Sequence, residues 1–403
     1  MFQRLRRRKP PTSSGSGEAR GSDPAEGVGA RSRWPLRPLA IGAAAVACLA
    51  VAAGAGAVAV TGGPFGFAGG PPWDRDEPAP GYPSAYPTQC TGDTTVSELL
   101  VPSCGAWWGA APLALTPLTR PEALRAFEKK VGRTLDIMHT YHRGGEVFPT
   151  EEEIAMARRP GDNHILYINW KPQLDRTWAE VAAGDPEVDA HIDAVAQRIK
   201  KYFGSERFFL TVHHEPENDI KPWPGSGYTA QDYHDMYRYV VERLRDRGVT
   251  TAITVMNYMG WPEWCVKDWF PELYPGDDVV DWISFDPYAP DRIETMEKLV
   301  NRTLGYESWP GFYDWAAENF PDKPLMVSEW GAFTDSADPR HKAKLFRDIR
   351  EHIREYPRIK AMIYFSSPDA PKGDTTVDDS EASLGAFREL GNMPYLNPPQ
   401  PSP

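Results

Sequence analysis

Apolar positions along this chain follow two alternating rhythms. Short unbroken runs of β-branched, aromatic and aliphatic residues, such as Phe208-Phe209-Leu210-Thr211-Val212, are separated by longer stretches in which apolar residues return every three or four positions. The runs predict strands at 104–109, 134–141, 163–170, 207–215, 252–258, 279–286, 324–329 and 361–366. The stretches between them predict helices at 120–131, 150–158, 185–202, 229–247, 311–319, 339–355 and 383–390. Strands alternating with helices in this way form a parallel sheet, and eight such units close it into a (β/α)8 TIM barrel, an α/β fold. An open doubly wound sheet is the alternative topology. Against it, Gly105-Ala106-Trp107-Trp108-Gly109 lacks the spacing of a Gly-rich phosphate-binding turn.

Ahead of this region the pattern changes. Residues 39–60 run for 22 positions without a charge, long enough as a helix to cross a hydrocarbon core of about 30 Å. Residues 1–37 carry nine Lys or Arg against three acids, which predicts a cytoplasmic N-terminus and an exported remainder. The expected organisation is a basic cytoplasmic segment (1–37), a transmembrane signal anchor (38–62), a Pro/Gly-rich linker (63–88), the barrel domain (89–393) and a Pro-rich disordered tail (394–403). A cleaved signal peptide is the alternative to the anchor, since small residues fill 53–59, but the long basic lead favours retention. The barrel then lies outside the cytoplasm, anchored to the membrane. In that oxidising setting Cys90 and Cys104 are expected to pair, leaving Cys265 as a packed free thiol.

Charge and composition narrow the partners. The chain carries a net −12 despite its basic start, so the body is acidic and offers no footprint for a phosphate backbone, which excludes nucleic acid. Aromatic residues make up 12% and include 14 Trp, a supply of flat amphipathic rings suited to sugar faces.

In a barrel the C-terminal strand ends form the active face, and polar and aromatic residues collect there. They include Trp107 and Trp108, His139 and His142, Trp170 and Lys171, His213-His214-Glu215, Asn257 and Tyr258, Asp286 and Tyr288, Glu329 and Trp330, and Tyr364 and Phe365. Glu215 and Glu329 each end an apolar run, 114 positions apart. Two carboxyls converging from separate strand ends are what a two-carboxylate glycosidase needs, one as nucleophile and one as proton donor. A metal site is the competing reading of His213-His214-Glu215, but adjacent strand residues point opposite ways and no HExxH or Cys/His cluster accompanies them. No metal or cofactor is therefore expected.

His214-Glu215 closing a fourth strand and Ser328-Glu329-Trp330-Gly331 closing a seventh resemble the acid/base and nucleophile motifs of glycoside hydrolase clan A. The His before the first Glu makes the chain similar to family 26, whose members are retaining barrel hydrolases, chiefly β-mannanases, with others acting on mixed-linkage β-glucan or β-xylan. The resemblance covers roughly residues 104–390 and implies an endo-acting monomer cleaving a β-linked polysaccharide, with β-mannan the first expectation. It implies Glu215 as acid/base, Glu329 as nucleophile, His214 as the residue orienting Glu215 or the sugar, and Tyr288 beside the nucleophile. Trp330, Trp170, Trp108, His142, Asn257, Phe365 and His213 complete the expected substrate-binding set. The sequence departs from the family at the eighth strand, where a Trp usually floors the reacting sugar's subsite. No Trp follows Trp330, so Phe365 or Tyr364 has to substitute.

Strict alternation along the fourth strand places Thr211, His213 and Glu215 inward and His214 outward. For His214 to reach the site the strand end must bulge or turn, and His213 is otherwise the partner. Two other functions stay open: a hydrolase of another β-glycan, including a self-produced exopolysaccharide, and a surface glycan-binding protein with weak or no turnover.

Overall fold

The computed structural model describes residues 90, 94–159, 162–306 and 308–399. The expected cytoplasmic segment, membrane anchor and linker lie outside the described residues. Among the described residues no helix is long and apolar enough to cross a membrane.

Eight parallel strands form the centre: β1 (Trp107–Ala111), β2 (Ile137–Arg143), β3 (Ile165–Lys171), β4 (Phe208–Val212), β5 (Ala252–Tyr258), β6 (Trp282–Phe285), β7 (Leu325–Ala332) and β8 (Ile359–Phe365). Each pairs with the next, and β8 pairs with β1 from Trp107↔Ala361 to Ala111↔Phe365, which closes the barrel. Helices follow the strands, the longest being Arg120–Val131, Pro186–Phe203, Ala230–Asp246, His341–His352 and Glu381–Gly391. Their starts carry the signals the sequence offers. Thr119 with Glu122, Thr150 with Glu153 and Thr229 with Asp232 form capping boxes that satisfy free backbone N–H groups.

Alternation divides each strand between two cores. Trp107, Ile137, Tyr167, Phe209, Val255, Trp282, Met326 and Ile363 fill the lumen. Their neighbours Trp108, Met138, Ile168, Leu210, Met256, Ile283, Val327 and Met362 face the helices. Burial on both faces is why the strands read as continuous apolar runs rather than as alternating ones. Gly109 is required by this packing, because a Cβ there would stand 2.8 Å from the Ile137 Cβ. The lower end is plugged by the segment around Leu100: Trp107 Nε1 donates to the Leu100 carbonyl at 2.7 Å and Trp282 Nε1 to that of Leu99 at 2.9 Å. A disulfide between Cys90 and Cys104 ties the same end, and Cys265 is a buried free thiol.

Three boundaries differ from expectation. The first strand begins at Trp107, so Trp107 and Trp108 open it rather than follow it. The fourth ends at Val212 instead of running to Glu215. The start of the expected disordered tail is ordered: Pro394–Leu396 form a 3-10 turn with Tyr395 and Leu396 buried, and the Tyr395 carbonyl accepts from Ala106 N at 2.9 Å.

Candidate active site

Both glutamates reach the upper face through local breaks in strand geometry. After Val212 the backbone turns into the left-handed region at His213 (φ 53°) and again at Glu215 (φ 50°), which cancels the alternation that would have held His213 inward. His213 swings out between Trp178 and Tyr233, while His214 packs edge-on to the Tyr141 ring at 5.7 Å. On β7 the pairing with β8 slips between Val327 and Trp330, so Ser328 and Glu329 together oppose the single residue Ile363 of β8. This bulge keeps Ser328 in the lumen and brings Glu329 toward the mouth, while Trp330 faces the helices.

Glu329 is held at both oxygens. Tyr141 OH donates to Oε2 and Tyr288 OH to Oε1, each at 2.5 Å. Burial raises the Glu329 carboxyl, and these two hydroxyls oppose that rise by stabilising the anion. Gly331 makes room for the arrangement, since a Cβ there would lie 3.1 Å from the Tyr288 ring. The Tyr141 hydroxyl also lies 3.2 Å from His139 Nδ1, and burial presses that imidazole down to about 3, so the ring is neutral.

Glu215 is set differently. Its backbone N–H donates to Asn257 Oδ1 at 3.0 Å, and Asn218 Nδ2 donates to its Oε2 at 2.9 Å. Burial first, then the negative charges of Glu329 and Glu217, push Glu215 up to about 8, against a smaller opposing pull from Lys171 and Lys372. The two carboxyls thus feel one another, and burial raises both, but only Glu329 has two tyrosine hydroxyls opposing the rise. Beneath them Asn257 Nδ2 faces Ser284 Oγ (3.1 Å), Asp286 Oδ1 (2.9 Å) and Ser328 Oγ (2.6 Å), and Ser328 Oγ donates to Asp286 Oδ1 at 2.6 Å. Burial and both glutamates raise Asp286 well above the usual carboxylate range, and the Ser328 and Asn257 hydrogen bonds oppose the rise.

Of the expected residues, Glu215, Glu329, His214, Tyr288 and Phe365 meet at the mouth, with Asn257 one layer below. Phe365 closes on Tyr141 and Tyr288, each 6.3 Å away edge-on, and provides the apolar surface there. Tyr364 does not, because it faces the helices and donates to the Thr375 carbonyl at 2.7 Å.

The remainder lie elsewhere. Trp108, Trp170 and Trp330 are fully buried between barrel and helices, against Phe387, Phe148 and Phe346 respectively, because each occupies an outward position of its strand. His142 is also outward and bonds Glu153 at 2.8 Å, within a cluster that includes Arg120. His213 accepts from Trp178 Nε1 (3.3 Å) and donates to Asp219 (2.8 Å), and burial lowers it to about 4, so it braces the turn as a neutral ring. His139 was expected at the active face without a role, and Tyr141 and Asn218 were not singled out. The spacing of Ile137, His139 and Tyr141 on one strand face was the available signal for Tyr141.

A closed parallel barrel with paired carboxyls at the ends of β4 and β7 has the layout of a glycosidase. Comparison with known proteins agrees: residues 174–304, which contain Glu215 and Tyr288, match the profile of Glycosyl hydrolase family 26. Endoglucanase H of Acetivibrio thermocellus is 25% identical over 313 residues, covering 73% of this chain and 31% of that protein. A mannan endo-1,4-beta-mannosidase of Bifidobacterium adolescentis is 25% identical over 236 residues, covering 53% of this chain and 23% of that protein. The crystal structure of a ruminal GH26 endo-beta-1,4-mannanase superposes with a TM-score of 0.50 at 14% identity, over 72% of this chain and 64% of that one. These matches make residues 174–304 similar to glycosyl hydrolase family 26, and the superposition agrees with the barrel fold. The chain spans less than a third of the length of the curated relatives it matches.

Proposed function

We propose that this protein is a retaining, endo-acting hydrolase of a β-linked polysaccharide, with Glu329 as nucleophile and Glu215 as general acid/base. The observation that carries this reading is the contrast between the two groups: Glu215 is pushed up to about 8, whereas Glu329 is gripped by two tyrosine hydroxyls. At neutral pH the first retains its proton and the second can be ionised. Glu329 attacks the anomeric carbon while Glu215 protonates the leaving oxygen. Once the glycosyl-enzyme forms, the charge on Glu329 is gone, and with it the second-largest influence raising Glu215. Glu215 then gives up its proton more readily and draws a proton from the incoming water. His214, a neutral ring lowered by burial, lines the same mouth and orients the sugar or Glu215.

β-Mannan is the first expectation for the backbone, and a glucan, a xylan or a self-produced exopolysaccharide is the alternative. Phe365 at the usual Trp position supports keeping these open. The Cys90–Cys104 disulfide supports an extracytoplasmic location, with the apolar run at 39–60 as the membrane anchor and the barrel acting as a monomer.

Reducing-sugar release from a panel of β-mannan, β-glucan and β-xylan by the wild type and Glu329→Ala tests the proposal. Release from one backbone, lost in a variant that stays folded, is expected. Binding without release by the wild type would instead identify a glycan-binding protein.

A further inference from the structure

Two cations converge on one indole beside the proton donor. Trp261 follows β5, Arg302 follows the helix Met296–Val300, and Lys372 lies on the loop after β8. Lys372 Nζ stands 4.3 Å and Arg302 Cζ 4.8 Å from the Trp261 ring. Strand β8 is not a neighbour of β5 in the barrel, so the Lys372 loop reaches past two intervening strands to make this contact. The ring's negative face attracts each cation, but the cations repel one another, and a cation–π contact does not neutralise them.

Among the described residues no ion pair involves Arg302 or Lys372, whereas Lys171, the other cation acting on Glu215, is paired with Asp219 at 3.2 Å. Burial alone lowers Arg302 to about 10, with no carboxylate offsetting it, so it remains charged at neutral pH. Its Nη2 donates to the Tyr288 carbonyl, and its Nε is buried without an acceptor. Lys372 is exposed and free to move toward a ligand. The Lys372 charge acts on Glu215, and Arg302 holds the carbonyl of Tyr288, whose hydroxyl grips Glu329, so the two cations border the cleft.

We propose that Lys372 and Arg302, held by Trp261, form an anion-recognition site bordering the cleft. The substrate they fit is a β-glycan bearing carboxylates, as uronate residues or acidic substituents, next to the cleaved bond. The site's place next to the cleaved bond rests on Glu215 and Glu329 being the reacting pair. A carboxylate reached by the exposed Lys372 accepts charge-assisted hydrogen bonds, and Arg302 adds to the positive potential there. The chain as a whole carries −12, which repels a dense polyanion, so the fit is to a glycan with carboxylates spaced among neutral sugars.

The test uses the full chain carrying Glu329→Gln. Calorimetry compares manno- and gluco-hexasaccharides with the same oligosaccharides carrying C6 carboxylates. The expected result is a preference for a carboxylated ligand of roughly tenfold, the scale of one charge-assisted contact. That ratio should fall toward one in Lys372→Ala, persist in Lys372→Arg, invert in Lys372→Glu and shrink as salt is raised. Equal affinity for neutral and carboxylated ligands overturns the proposal, as does a preference that Lys372→Glu leaves unchanged. The catalytic reading fails separately, by absence of release from every glycan by the wild type, because the binding ratio is measured without turnover.

Discussion

Tyr141 donates its hydroxyl to Glu329 Oε2 at 2.5 Å, linking the end of β2 to the end of β7 across the barrel mouth. The contact completes a symmetric grip, since Tyr288 takes the other oxygen. Removing one hydroxyl leaves burial less opposed, so the Glu329 carboxyl rises. Tyr141→Phe should lower kcat on the order of ten- to a hundredfold, as loss of one preorganised donor does, and move the acidic limb of the pH profile to higher pH. A purely structural role would lower stability and leave that limb in place.

On the proposed mechanism the basic limb belongs to Glu215. The donor must hold a proton for the first step, and its value is pushed up to about 8, so kcat/KM should decline as pH rises through that region. Glu215→Ala should lose activity on natural glycosides while sparing substrates with activated aryl leaving groups, which need little protonation. Equal loss on both classes removes Glu215 from the acid role.

The disulfide closes a short loop at the lower end of the barrel, away from the glutamates. On the chain-entropy account, a loop of this size stabilises by about 3 kcal/mol. Cys104→Ser should lower the thermal midpoint by several degrees and leave kcat within twofold. A comparable loss of kcat would show that the plug communicates with the mouth.

The barrel was legible in the sequence because each strand is buried on both faces, and eight apolar runs separated by capped helices admit few other topologies. The site was legible only in part, because period-two reasoning holds inside a strand and fails where the strand stops. His213 and His214 exchange faces through two left-handed residues, and Glu329 is redirected by a bulge. The first break carries no Gly to announce it, and at the second Gly331 follows the bulge instead of forming it. Trp108, Trp170 and Trp330 looked like sugar platforms because Trp serves both uses, and only the inward or outward parity of each position separates them. Tyr141 passed unnoticed because its partner lies 188 residues away.

Glu217 gives the fold a pH dependence that can be separated from catalysis. It is buried beside Tyr258, its carboxylate accepts from Met259 N at 2.9 and 3.1 Å, and burial outweighs these amides to push it up to about 7. The native value lies above the unfolded one near 4.5, so native protein binds more protons between the two. The stability this group contributes is fully present below pH 4.5 and is lost as pH rises through about 7. Glu217→Gln removes the titration but weakens one amide contact, so the variant should start less stable than wild type at pH 5. Its deficit should shrink by up to about 3 kcal/mol by pH 8, because only wild type bears the cost of ionising a buried carboxyl. Denaturant unfolding of both proteins at pH 5, 6.5 and 8 measures this directly. A stability difference that stays flat across the series would mean that Glu217 titrates as an ordinary carboxylate.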